Sequence, residues 1–384
     1  MPHLTRARRA RLKGEAMTKN AQHIGGLFTC LLALAGTAAS QGSGVQTAAT
    51  EIAKFSKIPR FVPVGPRFDA KKCMAGKSIF SVPVSLSIPF AKSITDSMKA
   101  VAKVVGFPLT VWENQGSPTQ HIQGIERAVN QKVSLIDLLG GTDPRVLAPQ
   151  IDAAQTAGVK VVTSHYSGLY QKLPGNLSGN VPIDYDLGGK LLADWVIAKT
   201  QGKGNALVVV SRDGFSTAPL ENGIVNEFKK NCPGCKYKVV DVSIPDWATK
   251  IQNVVQSEIN ANPGLNYVLP IYDSMSQFVV PAITLTGAQD RVKVATFNGT
   301  PFVIDLIQKG QVEMDIGENL DWVAYGILDS EMRIACGLRA VANPRIPFYI
   351  FDKSNASAAG TPAQSSVGYG QAYVNGYRAL WGLK

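Results

Sequence analysis

Residues 292–319 read VKVATFNGTPFVIDLIQKGQVEMDIGEN, and the pattern is strand, loop, helix, strand. The run from Val292 to Phe297 is mostly apolar and β-branched, as a strand buried on both faces of a parallel sheet requires. Thr300 can cap a helix whose first turn accepts Pro301. Val303, Ile304 and Ile307 then recur at helical spacing, and Gly310 ends the run. Phe297 and Asn298 are left at the carboxyl end of the first strand, where open α/β sheets bind ligands. Glu318 and Asn319 close the next strand, where a chain leaving one sheet for another also reaches a ligand.

The same alternation extends outward in both directions. Strands are predicted at 78–84, 109–112, 134–139 and 159–163, and a second series at 206–211, 237–242 and 266–271. Between them Ile94, Met98, Val101 and Val105 mark one helical face, and Trp247, Ile251, Val255 and Ile259 mark another. Ser117-Pro118-Thr119-Gln120 carries a cap, a first-turn proline and a capping-box glutamine. His121 on that helix reads as a solvated residue, and Asp143-Pro144 opens the next helix. Strands alternating with helices of this length imply parallel sheets covered on both faces, and their number fits two sheets better than one. Residues 40–76 read as a leader that wraps the surface. The end of the chain, after Pro344, reads as a strand and a small-residue tail closing on YRALWGLK.

The 384 residues suffice for two ordinary domains. The formal charge of +11 is concentrated at the start: residues 1–39 hold six basic residues and one acid, so their removal leaves +6. An apolar segment over 24–39 follows this basic stretch and ends in Thr37-Ala38-Ala39, the layout of a cleaved secretory signal. It is too short and small-residue-rich for a membrane span, and Met17 is an alternative start. The remaining charge is dispersed without a basic, aromatic-laced stripe, which argues against nucleic acid as a partner. Cys30 would leave with the signal. Cys232 and Cys235 in NCPGCK follow a helix end and read as a local disulfide, since a redox pair needs its first cysteine at a helix start and zinc needs further ligands nearby. Cys73 and Cys336 either pair with each other or stay buried and free.

The residues just past the strands are Phe90, Gln115, Gly141 with Thr142, and Ser164-His165-Tyr166 in the first series. In the second they are Phe215, Trp247, Tyr272-Asp273, Asn298 and Glu318. Rings mixed with single polar groups suit a neutral or weakly charged small molecule. Phosphate-loop, zinc-protease and serine-hydrolase signatures are absent, and no metal or cofactor is expected. Asp184, Asp273 and Glu318 can supply acid–base pairs, so an exported hydrolase using Asp273 or Glu318 is an alternative. The same carboxylates can accept from sugar hydroxyls or meet an amine.

Four motifs carry a family likeness: Ile88-Pro89-Phe90 after the first strand, PIDYDLGGKLLADW, Tyr272-Asp273, and TFNGTPFVIDLIQKGQVEMDIGEN. From about residue 77 to 347 the chain resembles the type 1 periplasmic solute-binding proteins of ABC importers, in the ribose- and galactose-binding-like branch. The resemblance implies an α/β fold of two Rossmann-like lobes with parallel sheets, joined by three crossovers near Ile183, Glu318 and Asn343. One lobe would hold 77–183 with 319–343, the other 184–318 with 344–384. It implies a monomeric periplasmic binder without catalysis or cofactor. Such a protein captures a sugar or sugar-like solute by hinge closure and delivers it to an ABC permease in the inner membrane. The family's binding positions fall on Phe90, Ser164, His165, Ile183, Leu220, Trp247, Tyr272, Asn298 and Glu318. A sugar-binding member typically has Asp-Arg at Ser164-His165, Arg at Leu220, Asp at Asn298 and Gln at Glu318. Without those charge-assisted hydrogen bonds, an aromatic or amine-bearing solute is the alternative ligand, for transport or for presentation to a membrane receptor.

Overall fold

A computed structural model describes residues 42–141, 143–173 and 175–383. The expected signal at 1–39, with Cys30, and Thr142 at a strand end lie outside the described residues. A helix α1 over 42–54 and the short α2 (Ala70–Met74) precede the first sheet. That sheet holds β1 (Ile79–Pro83), β2 (Leu109–Val111), β3 (Leu135–Leu139), β4 (Lys160–Gly168) and β5 (Gly179–Ile183). All are parallel, in the order β2-β1-β3-β4-β5. The intervening helices are α3 (Pro89–Val105), α4 (Pro118–Asn130) and α5 (Ala148–Thr156).

The second sheet follows α6 (Tyr185–Lys199). It contains β6 (Asn205–Val210), β7 (Lys236–Asp241), β8 (Tyr267–Pro270), β9 (Lys293–Asn298) and β10 (Met314–Glu318). Helices α7 (Thr217–Asn231), α8 (Trp247–Ala261), α9 (Ser276–Leu285) and α10 (Pro301–Gln308) connect them. The chain then forms α11 (Leu320–Ala335), β11 (Phe348–Asp352) and α12 (Ala372–Leu380). The strand order is β11-β10-β9-β8-β6-β7, with β11 antiparallel to β10. Both sheets reverse direction of growth beside their first strand, between β1 and β3 and between β6 and β8. Such switch points open a crevice at the carboxyl ends of the strands.

Three crossovers join the lobes, at Ile183–Asp184, at Glu318–Leu320 and through 336–347. Although α11 follows a strand of the second sheet, it packs on α3 and β3–β5 of the first lobe, buried along almost its entire surface. The expected capping box is present: Ser117 Oγ accepts from the Gln120 N–H, and Gln120 Oε1 reaches back to the Ser117 N–H. Ser117→Ala should lower the unfolding free energy by about 1 kcal/mol in urea denaturation. His121, expected in solvent, is instead buried with Nε2 3.0 Å from the Val84 carbonyl oxygen. It packs at the exit of β1, where the backbone needs a partner.

The leader and the tail are more ordered than their composition implies. Ala48 of α1 is buried in the second lobe's core, and the Phe55 carbonyl accepts from Ile350 N–H on β11 at 2.9 Å. The chain then passes to the first lobe. There the Phe61 ring lies 5.0 Å from Tyr377 and 6.0 Å from Trp322, and Phe68 and Ala70 donate to the Leu380 and Trp381 carbonyls. The tail makes the same passage. β11 extends the second sheet, whereas α12 stacks on α11 through Trp322–Tyr373 and Tyr325–Trp381, at 5.0 and 5.3 Å. Cys73 is bonded to Cys336 at the end of α11, with Cα atoms 5.8 Å apart and a sequence separation of 263. Cys232 and Cys235 form the second disulfide, where α7 ends.

Candidate functional site

The crevices of the two sheets share one hollow with about 470 Å³ of atom-free space, part of it open to solvent. From the first lobe come Val84, Ile88 and Phe90 after β1, Gly140 and Gly141 after β3, and His165 within β4. From the second come Gly214 and Ser216 after β6, Trp247 after β7, Tyr272 with Asp273 after β8, and Asn298 at the end of β9. The lobes also touch beside it: Phe215 N–H donates to the Gly141 carbonyl at 3.1 Å.

Rings form the walls. Phe90 lies 4.7 Å from the His165 ring, and Trp247 lies 6.1 Å from Tyr272. Trp247 Nε1 donates to Ser211 Oγ at 2.7 Å, which fixes the indole without using its face. The Tyr272 hydroxyl is 2.8 Å from Ser216 Oγ and 2.9 Å from Thr217 Oγ1, and burial pushes its pKa up to about 12.

Asp273 reaches the floor, with Asp315 and Glu318 fully buried beside it. Asp273 accepts from the Thr300 N–H at 2.5 Å and from Thr300 Oγ1 at 2.7 Å. Thr300 is the N-cap of α10, but its hydroxyl serves Asp273 instead of the helix. Burial, with a smaller contribution from Glu318, pushes Asp273 up to about 7. Asp315 accepts from Gly299 N–H at 3.1 Å, and burial beside Asp273 holds it well above the usual carboxylate range. Gly299 has φ 82°, and a Cβ there would come within 2.8 Å of the Glu318 carbonyl oxygen, so this close approach requires glycine. Asn298 before it has φ 146° and a buried Oδ1 without a partner.

His165, held at φ 49°, joins this floor to the first lobe. Its Nε2 is 2.7 Å from Glu318 Oε2, and its Nδ1 is 2.6 Å from the Tyr185 hydroxyl. With Nε2–H donating to Glu318, Nδ1 is left to accept from Tyr185. Both ring nitrogens are then occupied, so His165 offers the hollow its ring rather than a free base.

Seven of the twelve described strand-end residues singled out from sequence line the hollow: Phe90, Gly141, His165, Trp247, Tyr272, Asp273 and Asn298. The other five do not. Gln115 is exposed after the edge strand β2, and its N–H donates to Gln120 Oε1 in the helix cap. Ser164 points the opposite way from His165 and donates to Asp137 Oδ1 at 2.5 Å within the first lobe. Tyr166 is buried in that lobe's core, with its ring 6.0 Å from Phe215. Phe215 is half-buried at the lobe contact, while its neighbours Gly214 and Ser216 reach the wall. Glu318 is fully buried behind His165. Sequence reading missed Tyr185, Ser216 and Ser274 at the wall. Tyr185 stood in the quoted PIDYDLGGK connector, and its place after a crossover was the available signal. Among the described residues no cluster of His, Cys, Asp or Glu suits a metal ion.

The buried acids set the pH response. Asp137, Asp194, Asp273, Asp315 and Glu331 all have raised pKa values, each chiefly from burial. Asp194 and Asp273 stand at about 7. A carboxyl raised in the folded state contributes stability that is complete below its unfolded pKa of about 4 and is lost as pH rises through the folded value. Glu51 and Asp143 are lowered by Lys54 and Arg145, but solvent screens those pairs. The melting temperature of the ligand-free protein should therefore fall between pH 5 and pH 8, as read by calorimetry at constant ionic strength.

A family model described as a periplasmic binding protein domain matches residues 79–338, from β1 to the first three residues of the third crossover. The chain belongs to the periplasmic binding protein family. This binding protein is 26% identical over 251 residues to the ribose import binding protein RbsB of Salmonella typhimurium, covering 65% of this chain and 82% of that protein. It is 25% identical over 270 residues to its Escherichia coli counterpart, covering 70% and 88%. Among solved structures, an ABC transporter periplasmic solute-binding protein from Actinobacillus succinogenes with bound D-allose aligns with TM-score 0.65 at 19% identity, over 73% of this chain and 99% of that one. One from Mycobacterium smegmatis with bound glycerol aligns with TM-score 0.65 at 21% identity, over 76% and 98%. These likenesses place the binding protein's two sheets and crossovers in a known fold.

Proposed function

We propose that this protein is the periplasmic substrate-binding component of an ABC importer, capturing a sugar or sugar-like solute between its lobes. The observation that carries the reading is the shared hollow, with Phe90 on one lobe and Trp247 on the other able to cover the two faces of a small ring. Names of the relatives support it: one is a ribose import binding protein and another a D-ribose/D-allose-binding protein. Hinge closure about the three crossovers would complete the site, and a closed, loaded form would be what the inner-membrane permease recognises. Export by the basic and apolar segment at 1–39, action as a monomer and absence of catalysis are parts of the same proposal. A role for Asp273 as a hydrolytic acid or base is less favoured, because both of its oxygens are engaged by Thr300. The test is intrinsic tryptophan fluorescence and calorimetry on the exported protein against pentoses, hexoses, their furanose forms and alditols. Saturable binding of one class with micromolar or tighter affinity is expected; a flat response across the panel would reject sugar capture.

A further inference from the structure

Building on the reading of the hollow as a solute site, we infer that its ligand is a sugar-like ring carrying a protonated amine, seated on the Asn298–Asp273 side.

No lysine or arginine lines the hollow among the described residues. The hydroxyls that do line it are already committed: Ser216 to Tyr272, and Ser274 to Asp273. Apart from the Asn298 amide, the lining side chains therefore offer few free donors. A neutral sugar presents hydroxyl oxygens that each need a donor as well as an acceptor, and unsatisfied ones are costly away from water.

Acceptors, by contrast, are in surplus. Asn298 Oδ1, Asp315 Oδ1 and Glu318 Oε1 are buried without partners, and Asn298 is itself part of the wall at 2% exposure. Asp273, Asp315 and Glu318 form one fully buried acidic group. The ionisable side chains facing that group are His165 on Glu318, the phenol Tyr185, and Tyr369, whose hydroxyl lies unpartnered beside Gly299 and Gly317. Only His165 among them can become a cation. An ammonium has three donors and no acceptor, which is the complement of Asn298 Oδ1 and Asp273 at the wall with Asp315 and Glu318 buried beside them. The faces of Trp247 and Tyr272 would add cation–π attraction from the side.

The proton balance follows. Burial keeps the Asp273 carboxyl protonated in the empty protein below about pH 7. An ammonium placed beside it favours the carboxylate, so the bound pair is R–NH₃⁺ with COO⁻ and one proton passes from the carboxyl to solvent.

Calorimetry at about pH 6, below the value of about 7 at Asp273, tests this with D-glucosamine, D-galactosamine and D-mannosamine. Their hydroxyl parents and N-acetyl forms serve as the comparison, in buffers of different ionisation enthalpy. At least one amine is expected to bind tenfold or more tightly than both its parent and its N-acetyl form, with proton release scaling with the buffer. In Asp273→Asn the amine-to-parent ratio and the proton release should both collapse. The wild-type proton release does not depend on that variant folding. Parents that bind as tightly as their amines overturn the amine assignment and leave sugar capture standing. An amine preference without proton release overturns the assignment to the carboxyl floor. Failure of every amine and every parent to bind overturns this inference and sugar capture together.

Discussion

The Cys73→Ser, Cys336→Ser double variant should lose roughly 5 kcal/mol of unfolding free energy relative to the oxidised protein, from the chain entropy of so long a loop. The bond closes a separation of 263 residues, so it restricts the unfolded state far more than the Cys232–Cys235 bond, whose separation is three. Removing that second bond should cost roughly 2 kcal/mol on the same scale. The larger effect also has a native-state component, because Cys73 fastens α2 to the end of α11 where the third crossover begins. Guanidinium denaturation of the oxidised proteins measures both losses. A loss below about 1 kcal/mol for the Cys73 pair would mean that the unfolded chain is already compact around its ends.

Trp247→Ala should weaken solute binding by about 2–3 kcal/mol, on the order of a hundredfold. Trp247 is 6% exposed, lines the hollow, and is held by its bond to Ser211, so its face is presented without further ordering. Trp247→Phe keeps a ring but loses the indole N–H bond to Ser211 Oγ, which still donates to the Val242 carbonyl, and should fall between wild type and alanine. Calorimetry with the identified solute reads the affinities, and thermal unfolding controls for the cavity left in the α8 core. Unchanged affinity in a folded alanine variant would remove Trp247 from the site.

The alternation of strands and helices was legible because buried parallel strands are written as continuous apolar runs. β9, α10 and β10 fall where their residues predict. β5 was missed: its sequence GNVPI has weak strand propensity, and Pro182 is tolerated because the strand lies at the edge of its sheet. The helix α11 went unnamed because it is buried all round, which erases the one-sided pattern that marks a surface helix. Site residues were legible where the strand leads straight to the crevice, as at Asn298, and where a ring follows a turn, as at Trp247. Sequence could not show that Ser164 and His165 diverge, one to Asp137 and the other to Glu318. Nor could it show that Gln115 would be spent on a helix cap. Both outcomes depend on which strands become neighbours and which become edges.

The passage of the N-terminal segment between the lobes has a mechanical consequence. Phe55 is held on β11 of one lobe and Phe61 on the α11–α12 aromatic cluster of the other. Six residue steps, fully stretched, reach roughly 20 Å. The molecule thus carries a leash of fixed length beside its pivot: gaping wide enough to draw these two moorings farther apart would first have to pull the Phe61 ring from its berth.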